Sequence, residues 1–378
     1  RAAVCEQCHL AGEARVVRHG RGMYDFRPGL PLDAFWSVFV RETKPEEQRK
    51  AVNHVEQMYQ SACFAKSADD PAAGTRKLGC VSCHDPHRHE AAADRIEHYR
   101  VRCLQCHETH VPCSKPEPER RRTSKADSCI DCHMPRYASA DIAHTASTDH
   151  RIVRRQDAAS LGPIGGLKGE PTFVSFYRLN PRGGDSLEDE RDLGVALAQI
   201  LVPQATAQQV PQDRLGRRGI RMLEKAIEND PSDIKALEAR AELQAMLGRY
   251  DDALESFEAI LVNQPNREKP LRGAALLAEG KNEFERALTH WRRLANEYPW
   301  QVDHRASLAQ LLARTGHWEE ASAQARQWVR LDPASIEARI HLVRCFLGKG
   351  DKAAARNEFA TIERLRPAGL DKIRRELR

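Results

Sequence analysis

The chain has 378 residues, of which 41% are hydrophobic and 30% are charged, and its formal net charge is +5. This composition is typical of a globular protein with room for two or three domains, at roughly 150 residues per domain. No apolar run approaches the roughly 18 residues that a membrane helix needs, which excludes an integral membrane segment, and the mild, mixed charge does not favour nucleic acid as a partner.

Cysteine and histidine are concentrated in the first part of the chain. Ten of the 11 cysteines and 12 of the 16 histidines precede residue 151. This change in composition predicts two domains of different chemistry, one dependent on metal and one plainly helical. We place the first domain at 1–154, a linker at 155–190 and the second domain at 191–378.

Four Cys-x-x-Cys-His motifs contain eight of these cysteines. The motifs comprise Cys5, Cys8 and His9; Cys80, Cys83 and His84; Cys103, Cys106 and His107; and Cys129, Cys132 and His133. This is the attachment pattern of c-type haem, because two thiols at this spacing reach both vinyl groups of one porphyrin and the following histidine binds the iron. The sequence therefore predicts four covalently attached haems c, in a loop-rich domain with short helices that does not fold without them.

Zinc and dithiol chemistry are the alternatives to haem. Cys83 and Cys103 are separated by 19 residues, so the second and third motifs also fit a zinc ribbon. A Cys-x-x-Cys pair alone would also allow a redox-active dithiol. Neither alternative explains why a histidine follows every cysteine pair.

A haem in an electron carrier usually has a second axial ligand, and the other histidines supply distal candidates. His87 and His110 each lie three residues after a motif histidine, so each would cap an adjacent haem rather than its own. His54 lies in a predicted helix that can present it to iron, although it also fits a surface histidine. We expect one or both of His144 and His150 to bind iron. Because there are five candidates for four sites, one is idle or caps a haem outside this chain.

Several elements of this region are shared with a known family. They are His54, Gln57–Met58, Ser61–Phe64, Cys80–His87, Cys129–Pro135 and Thr148–Ile152. With these elements the chain resembles secreted bacterial multihaem c-type cytochromes that carry a C-terminal tetratricopeptide repeat region, and whose haem part is related to nitrogen-cycle multihaem cytochromes. The resemblance implies bis-histidine haems, and it supports His54, His87, His144 and His150 as ligands.

The resemblance has two further implications. Family members commonly carry more haem motifs upstream, so an N-terminal segment is expected before residue 1. The nitrite reductases of the wider group have a Cys-x-x-Cys-Lys motif, which does not occur in this sequence. This departure weighs against nitrite reduction.

Two cysteines of the first domain lie outside the motifs. Haem attachment takes place in an oxidising, exported compartment, where disulfides persist. We therefore predict a disulfide between Cys63 and Cys113, with two buried thiols as the alternative. No signal peptide is visible, so the predicted periplasmic or extracellular location follows from the haem chemistry alone.

A glycine-rich linker precedes the second domain. Its one β-like stretch, Thr172–Tyr177, is expected to pack on one domain as a short extended segment. After about residue 200, proline recurs every 34 residues, which is the tetratricopeptide period. The predicted repeats are 200–231, 234–265, 268–299, 302–333 and 336–367, followed by a cap at 369–378. The fold class is thus mainly α, with a loop-rich tetrahaem cytochrome c domain followed by an α-solenoid.

These features predict a protein that carries electrons along four bis-histidine haems. The repeat surface would dock a redox partner protein or copies of the same chain, and head-to-tail contacts would give rings or filaments. One alternative is a multihaem oxidoreductase acting on a small nitrogen or sulfur species at one open haem. Another is a scaffold whose haems are incidental.

Overall fold

The chain forms two compact units, Arg1–Ala196 and Leu197–Arg378, and is mainly helical. The structure is a computed structural model, which describes residues 2–41, 54–69, 78–88, 90–107, 113, 115–138, 146–154, 172–178, 187–205 and 213–376. The predicted domain limits at 154 and 190 stay predictions, because much of the predicted linker lies outside the described residues.

Helices α1 to α7 of the first unit are short. They are α1 (Ala2–His9), α2 (His54–Gln60), α3 (Ala62–Asp69), α4 (Cys80–Cys83), α5 (Arg95–His107), α6 (Glu117–Thr123) and α7 (Cys129–His133). A longer helix, α8 (Leu187–Ala205), begins in the first unit and ends in the second.

The first unit also contains two small antiparallel sheets. Its strands are β1 (Ala14–Val17), β2 (Trp36–Arg41), β3 (Arg136–Ala138), β4 (Ala146–Thr148) and β5 (Phe173–Ser175). Strand β2 lies between β1 and β5, while β3 pairs with β4. The predicted description of this domain as loops and short helices was therefore incomplete. Strand β2 reads Trp-Ser-Val-Phe-Val-Arg, and such β-branched and aromatic residues favour a buried strand.

Apolar clusters and a buried ionic network hold the first unit together. Leu10, Val38, Val40, Val55 and Phe176 form one cluster, and Phe26, Leu32 and Phe35 form another. The fully buried Asp192 on α8 accepts hydrogen bonds from Ser37 of β2 and from Arg191. Burial raises the pKa of Asp192, and these donors oppose the rise.

The second unit is built from antiparallel helix pairs. After the end of α8 come α9 (Asp213–Asn229), α10 (Ile234–Met246), α11 (Tyr250–Asn263), α12 (Glu268–Gly280), α13 (Phe284–Glu297), α14 (Val302–Arg314), α15 (Trp318–Leu331), α16 (Ile336–Gly348), α17 (Lys352–Leu365) and α18 (Leu370–Glu376). Each predicted repeat from 234 onwards contains two of these helices. The predicted repeat at 200–231 lies partly outside the described residues.

Small side chains let the helices of this unit approach closely. Ala241, Ala275 and Ala309 are fully buried at equivalent positions of α10, α12 and α14. The alanines that recur at 34-residue intervals in α11, α13, α15 and α17 are also buried. Large rings such as Phe257 and Trp291 fill the space between neighbouring helices. The helices therefore pack ridge against groove around one continuous apolar core.

The backbone conformations of the turn residues, and a recurring proline, determine where the helices end. The turns after α10, α14 and α16 place a glycine at φ between +77° and +80°, a conformation that glycine adopts without strain. In the turn after α12, Asn282 takes this conformation instead at φ +61°. Each second helix ends two residues before the recurring proline, which cannot continue it.

Gly273 offers a test of this close packing. A Cβ added there would lie 2.4 Å from the buried ring of Phe257. We expect Gly273→Ala to lower the free energy of unfolding by roughly 1–3 kcal/mol through overpacking. Gly280→Ala, in the same helix but in open space, is the control and should cause no loss. Urea unfolding of the full chain, followed by circular dichroism, measures both; equal stabilities would contradict the packing argument.

His341 offers a test of the buried interior. Its side chain is buried on α16 beside Trp328, and its Nε2 is without a hydrogen-bond partner among the described residues. Burial lowers the pKa of His341, so the unfolded chain binds a proton more tightly than the folded chain. The free energy of unfolding should therefore fall as the pH drops through about 6.5.

His341→Leu should make this acid-induced loss of stability smaller. The control is His317→Gln, which changes an exposed histidine of the same unit. Thermal unfolding at pH 7.5 and pH 5.5 measures the effect. The same pH dependence in the parent chain and the His341 variant would refute the assignment.

Candidate functional site

Each Cys-x-x-Cys-His motif lies on one helical turn or at its end. The first motif lies in α1, the third in the last turns of α5 and the fourth in α7. The cysteines of the second motif lie in α4, and His84 follows directly after that helix. Residues i, i+3 and i+4 of a helix point to the same side, so both thiols and the imidazole share a face in the first, third and fourth motifs. In the second motif the two thiols share a face, and His84 follows the turn with an extended backbone. Short local caps favour these turns: Ser128 accepts a hydrogen bond from the amide of Asp131, and Ser82 accepts one from the amide of Gly79.

The motif side chains lie at or near the surface. Cys8 and Cys106 are exposed, and the other motif cysteines are partly buried. The structure contains all 11 cysteines as free thiols, and the Cys63–Cys113 disulfide stays a prediction. The electrostatic neighbours of Cys63 include Cys106.

Thiols of different motifs contact one another. Cys80 of the second motif hydrogen-bonds to Cys5 of the first, and burial raises the pKa of Cys80 to about 11. Cys103 of the third motif donates a hydrogen bond to Cys129 of the fourth, which lowers the pKa of Cys129 to about 6. The attachment turns thus lie side by side, the first with the second and the third with the fourth, and Cys83 of the second motif also has Cys106 of the third among its electrostatic neighbours.

Four histidines form a cluster at the first pair of motifs. The Nδ1 atoms of His54 and His9 are 3.3 Å apart, and the rings of His54 and His150 have centroids 4.5 Å apart. The ring centroid of His84 lies 6.4 Å from that of His150. Burial and the three neighbouring imidazoles lower the pKa of His54 to about 4. The cluster therefore brings two motif histidines together with two predicted distal ligands, in a setting that favours neutral imidazole.

Two of the predicted ligands have one ring nitrogen fixed by a backbone carbonyl. Nδ1 of His150 lies 2.9 Å from the carbonyl oxygen of Thr148, and Nδ1 of His133 lies 2.8 Å from that of Val153. Such a carbonyl selects the tautomer with hydrogen on Nδ1 and leaves the lone pair on Nε2, as in most metal-binding histidines.

The distal candidate His87 is less constrained. His87 is exposed, and its backbone amide donates to Asp85. His110 and His144 lie outside the described residues. His98, which was not a candidate, has Nε2 3.1 Å from the carbonyl oxygen of Cys83 and Nδ1 3.4 Å from Glu90, so both its ring nitrogens are engaged.

Sequence reasoning missed the residues that support this site. Gln57, buried on α2, accepts a hydrogen bond from the amide of His150 and donates one to the hydroxyl of Tyr137. Buried Asp127 pairs with Arg100 of α5 and Arg120 of α6, and the hydrogen bond from Arg120 lowers the pKa of Asp127. Gln57 belongs to an element of the family resemblance, but its role and those of the other residues depend on tertiary contacts that the sequence does not show.

The described residues contain neither a single-ion metal site nor a membrane-spanning helix. Within the described ranges, no group of three or more His, Cys, Asp or Glu side chains is arranged to hold a metal ion. Among these same residues, none of the helices has both the length and the hydropathy to cross a bilayer.

Comparison with known proteins identifies the repeats of the second unit. The family described as tetratricopeptide repeat matches residues 214–268, 272–336 and 306–369. The C-terminal region contains tetratricopeptide repeats. This confirms the prediction made from the 34-residue period, and the repeats form a helical solenoid.

Some solved structures of other proteins are similar to about half of this chain. MamA from Desulfovibrio magneticus RS-1 is 18% identical, with a TM-score of 0.39, and the match covers 48% of this chain and 97% of that one. A tetratricopeptide repeat protein from Parabacteroides merdae is 18% identical, with a TM-score of 0.38 and coverage of 48% and 72%. No curated protein matches the chain.

Gln57 supplies a test of how the site is supported. Gln57→Leu removes the hydrogen bonds to His150 and Tyr137, so we expect a loss of roughly 1–3 kcal/mol in the free energy of unfolding and faster hydrogen exchange at the His150 amide. Gln60→Leu, at an exposed position of the same helix, is the control. Thermal unfolding and hydrogen-exchange mass spectrometry measure the two effects. Unchanged exchange at His150 would show that Gln57 does not hold it.

Proposed function

We propose that this chain is an exported multihaem c-type cytochrome that carries electrons along four covalently attached haems. The observation that carries the proposal is the arrangement of each motif. Four times, two thiols lie one helical turn apart and an imidazole follows directly, with their side chains at or near the surface. These donor sets fit haem c, which needs two thiols for its vinyl groups and a nitrogen for its iron.

The cysteines and histidines of each motif would bind different parts of the haem. The eight motif cysteines would form thioether bonds, and His9, His84, His107 and His133 would each supply the proximal nitrogen. Bound haem supplies reversible one-electron transfer at iron. The carbonyls of Val153 and Thr148 orient the rings of His133 and His150, and burial of His54, His84 and His150 lowers the pKa of each, which keeps a nitrogen lone pair available.

The pairing of attachment turns supports transfer between haems. Cys5 contacts Cys80, and Cys103 contacts Cys129, so neighbouring motifs are separated by only a thiol–thiol contact. Groups attached to such neighbours would lie close together. Short separations favour electron exchange within each pair, and this is the property that a carrier of several electrons requires.

The repeat region gives the cytochrome a means of docking. Tetratricopeptide repeats form extended surfaces for protein partners or for self-association. We propose that the surface binds a redox partner or further copies of this chain, and that head-to-tail binding extends the electron path into a filament. Haem attachment requires an exporting route, so the proposed location is periplasmic or extracellular.

A measurement of mass and thiols tests this function. Produced in a host that attaches haem c during export, the chain should carry four haems. After denaturation and alkylation, eight of its 11 cysteines should be protected and only Cys63, Cys113 and Cys345 should be modified. If Cys63 and Cys113 form a disulfide, Cys345 alone should react until a reductant is added. The control is the same chain from a host without haem attachment, in which all cysteines should react after reduction.

The haem spectrum of the same sample distinguishes an electron carrier from an oxidoreductase. Four low-spin haems that do not bind carbon monoxide would support an electron carrier. Carbon monoxide binding at one haem would instead favour the oxidoreductase that acts on a small nitrogen or sulfur species. A chain without haem, or with zinc in its place, would overturn the proposed function and leave only the repeat solenoid.

A further inference from the structure

The rings of His84 and His150 differ from the other close ring pairs of the histidine cluster in their separation and in the angle between their planes. Their ring centroids are 6.4 Å apart and their planes differ by 29°. Two metal–imidazole bonds of about 2 Å, plus about 1 Å from each nitrogen to its ring centroid, place two axial imidazoles about 6 Å apart between centroids. The measured separation therefore fits two rings that share one iron.

Both rings are already held by their other nitrogen. The hydroxyl oxygen of Tyr99 lies 3.3 Å from Nδ1 of His84, and the carbonyl oxygen of Thr148 lies 2.9 Å from Nδ1 of His150. Each contact leaves Nε2 as the nitrogen for metal. A metal-binding histidine normally has such a hydrogen bond at its second nitrogen, which fixes the ring and increases its basicity.

The other histidines nearby fit this role less well. The ring of His54 is only 4.5 Å from that of His150 and 5.3 Å from that of His9, with planes that differ by 63° and 60°. Its shortest contact joins the two Nδ1 atoms of His54 and His9, which are the wrong nitrogens for a pair that binds through Nε2. His98 has both of its ring nitrogens engaged.

We infer that His84 and His150 are the two axial ligands of one iron, that of the haem attached to Cys80 and Cys83, and that Tyr99 is a positioning residue for His84. The inference rests on the proposed function and adds to it the choice of distal ligand for one motif. It also joins two distant parts of the first unit, because Gln57 of α2 holds the amide of His150. The second motif is thereby tied to the segment that follows the fourth.

The first experiment removes the distal ligand from the mature, full-length protein. His150→Ala should convert one of four low-spin haems to high-spin in the electron paramagnetic resonance spectrum and should create one carbon monoxide site. Added imidazole should restore the low-spin state. The control is His98→Ala, which changes a neighbouring histidine and should leave all four haems low-spin. Four low-spin haems in the His150 variant would overturn the inference.

A combined variant identifies which haem is affected. Cys80→Ala with Cys83→Ala should leave three attached haems. Adding His150→Ala to this background should produce no new high-spin signal, because the haem that His150 ligates is absent. A high-spin signal in the combined variant would assign His150 to another haem and overturn the pairing. The proposed function fails separately, if the parent chain contains no covalent haem at all.

Tyr99→Phe provides a test that does not depend on removing a ligand. The change removes one hydroxyl and keeps the ring that lies against His84. Loss of the hydrogen bond should make His84 a weaker donor, so the reduction potential of one haem should rise while all four stay low-spin. Redox titration followed by absorbance measures this shift. Four unchanged potentials would show that Tyr99 does not position His84.

Discussion

One turn of α-helix sets the geometry on which every candidate attachment site depends. The spacing i, i+3 projects the two thiols of each motif to the same side, and the imidazole follows at the next position. The four motifs have quite different settings, from the eight-residue α1 to the four-residue α4 and the end of the 13-residue α5. Their common chemistry therefore comes from local spacing, and tertiary structure only has to bring the turns together.

The two units are stabilised in different ways. In the second unit, buried alanines and rings form one continuous apolar core along the repeats. The first unit relies more on directional contacts, such as Asp192 with Ser37 and Arg191, and Asp127 with Arg100. Such contacts stabilise a fold only when every polar group is satisfied. Four porphyrins would add apolar surface where side chains supply little, so haem binding and folding of this unit are expected to be coupled.

How well the sequence predicted each part depended on how local its signal was. The solenoid follows from a 34-residue period, and the motif turns follow from five consecutive residues, so both could be recognised directly. The sheet could not, because β5 pairs with β2 across most of the first unit. The support of His150 by Gln57 joins residues 93 positions apart. Neither contact leaves a pattern in either segment alone, and Tyr99 was overlooked for the same reason.

The histidine cluster links the acid–base chemistry of the site to the iron binding that we propose for it. An imidazole binds metal only when it is neutral, so protons compete with iron for every axial position. Burial and three neighbouring rings lower the pKa of His54 to about 4, and burial lowers the pKa values of His84 and His150 as well. The crowding that would destabilise a protonated cluster thus keeps these rings neutral at pH 7. Under the proposed function, the protein fold would in this way already meet part of the energetic requirement for axial ligation, by holding the rings together as neutral imidazoles.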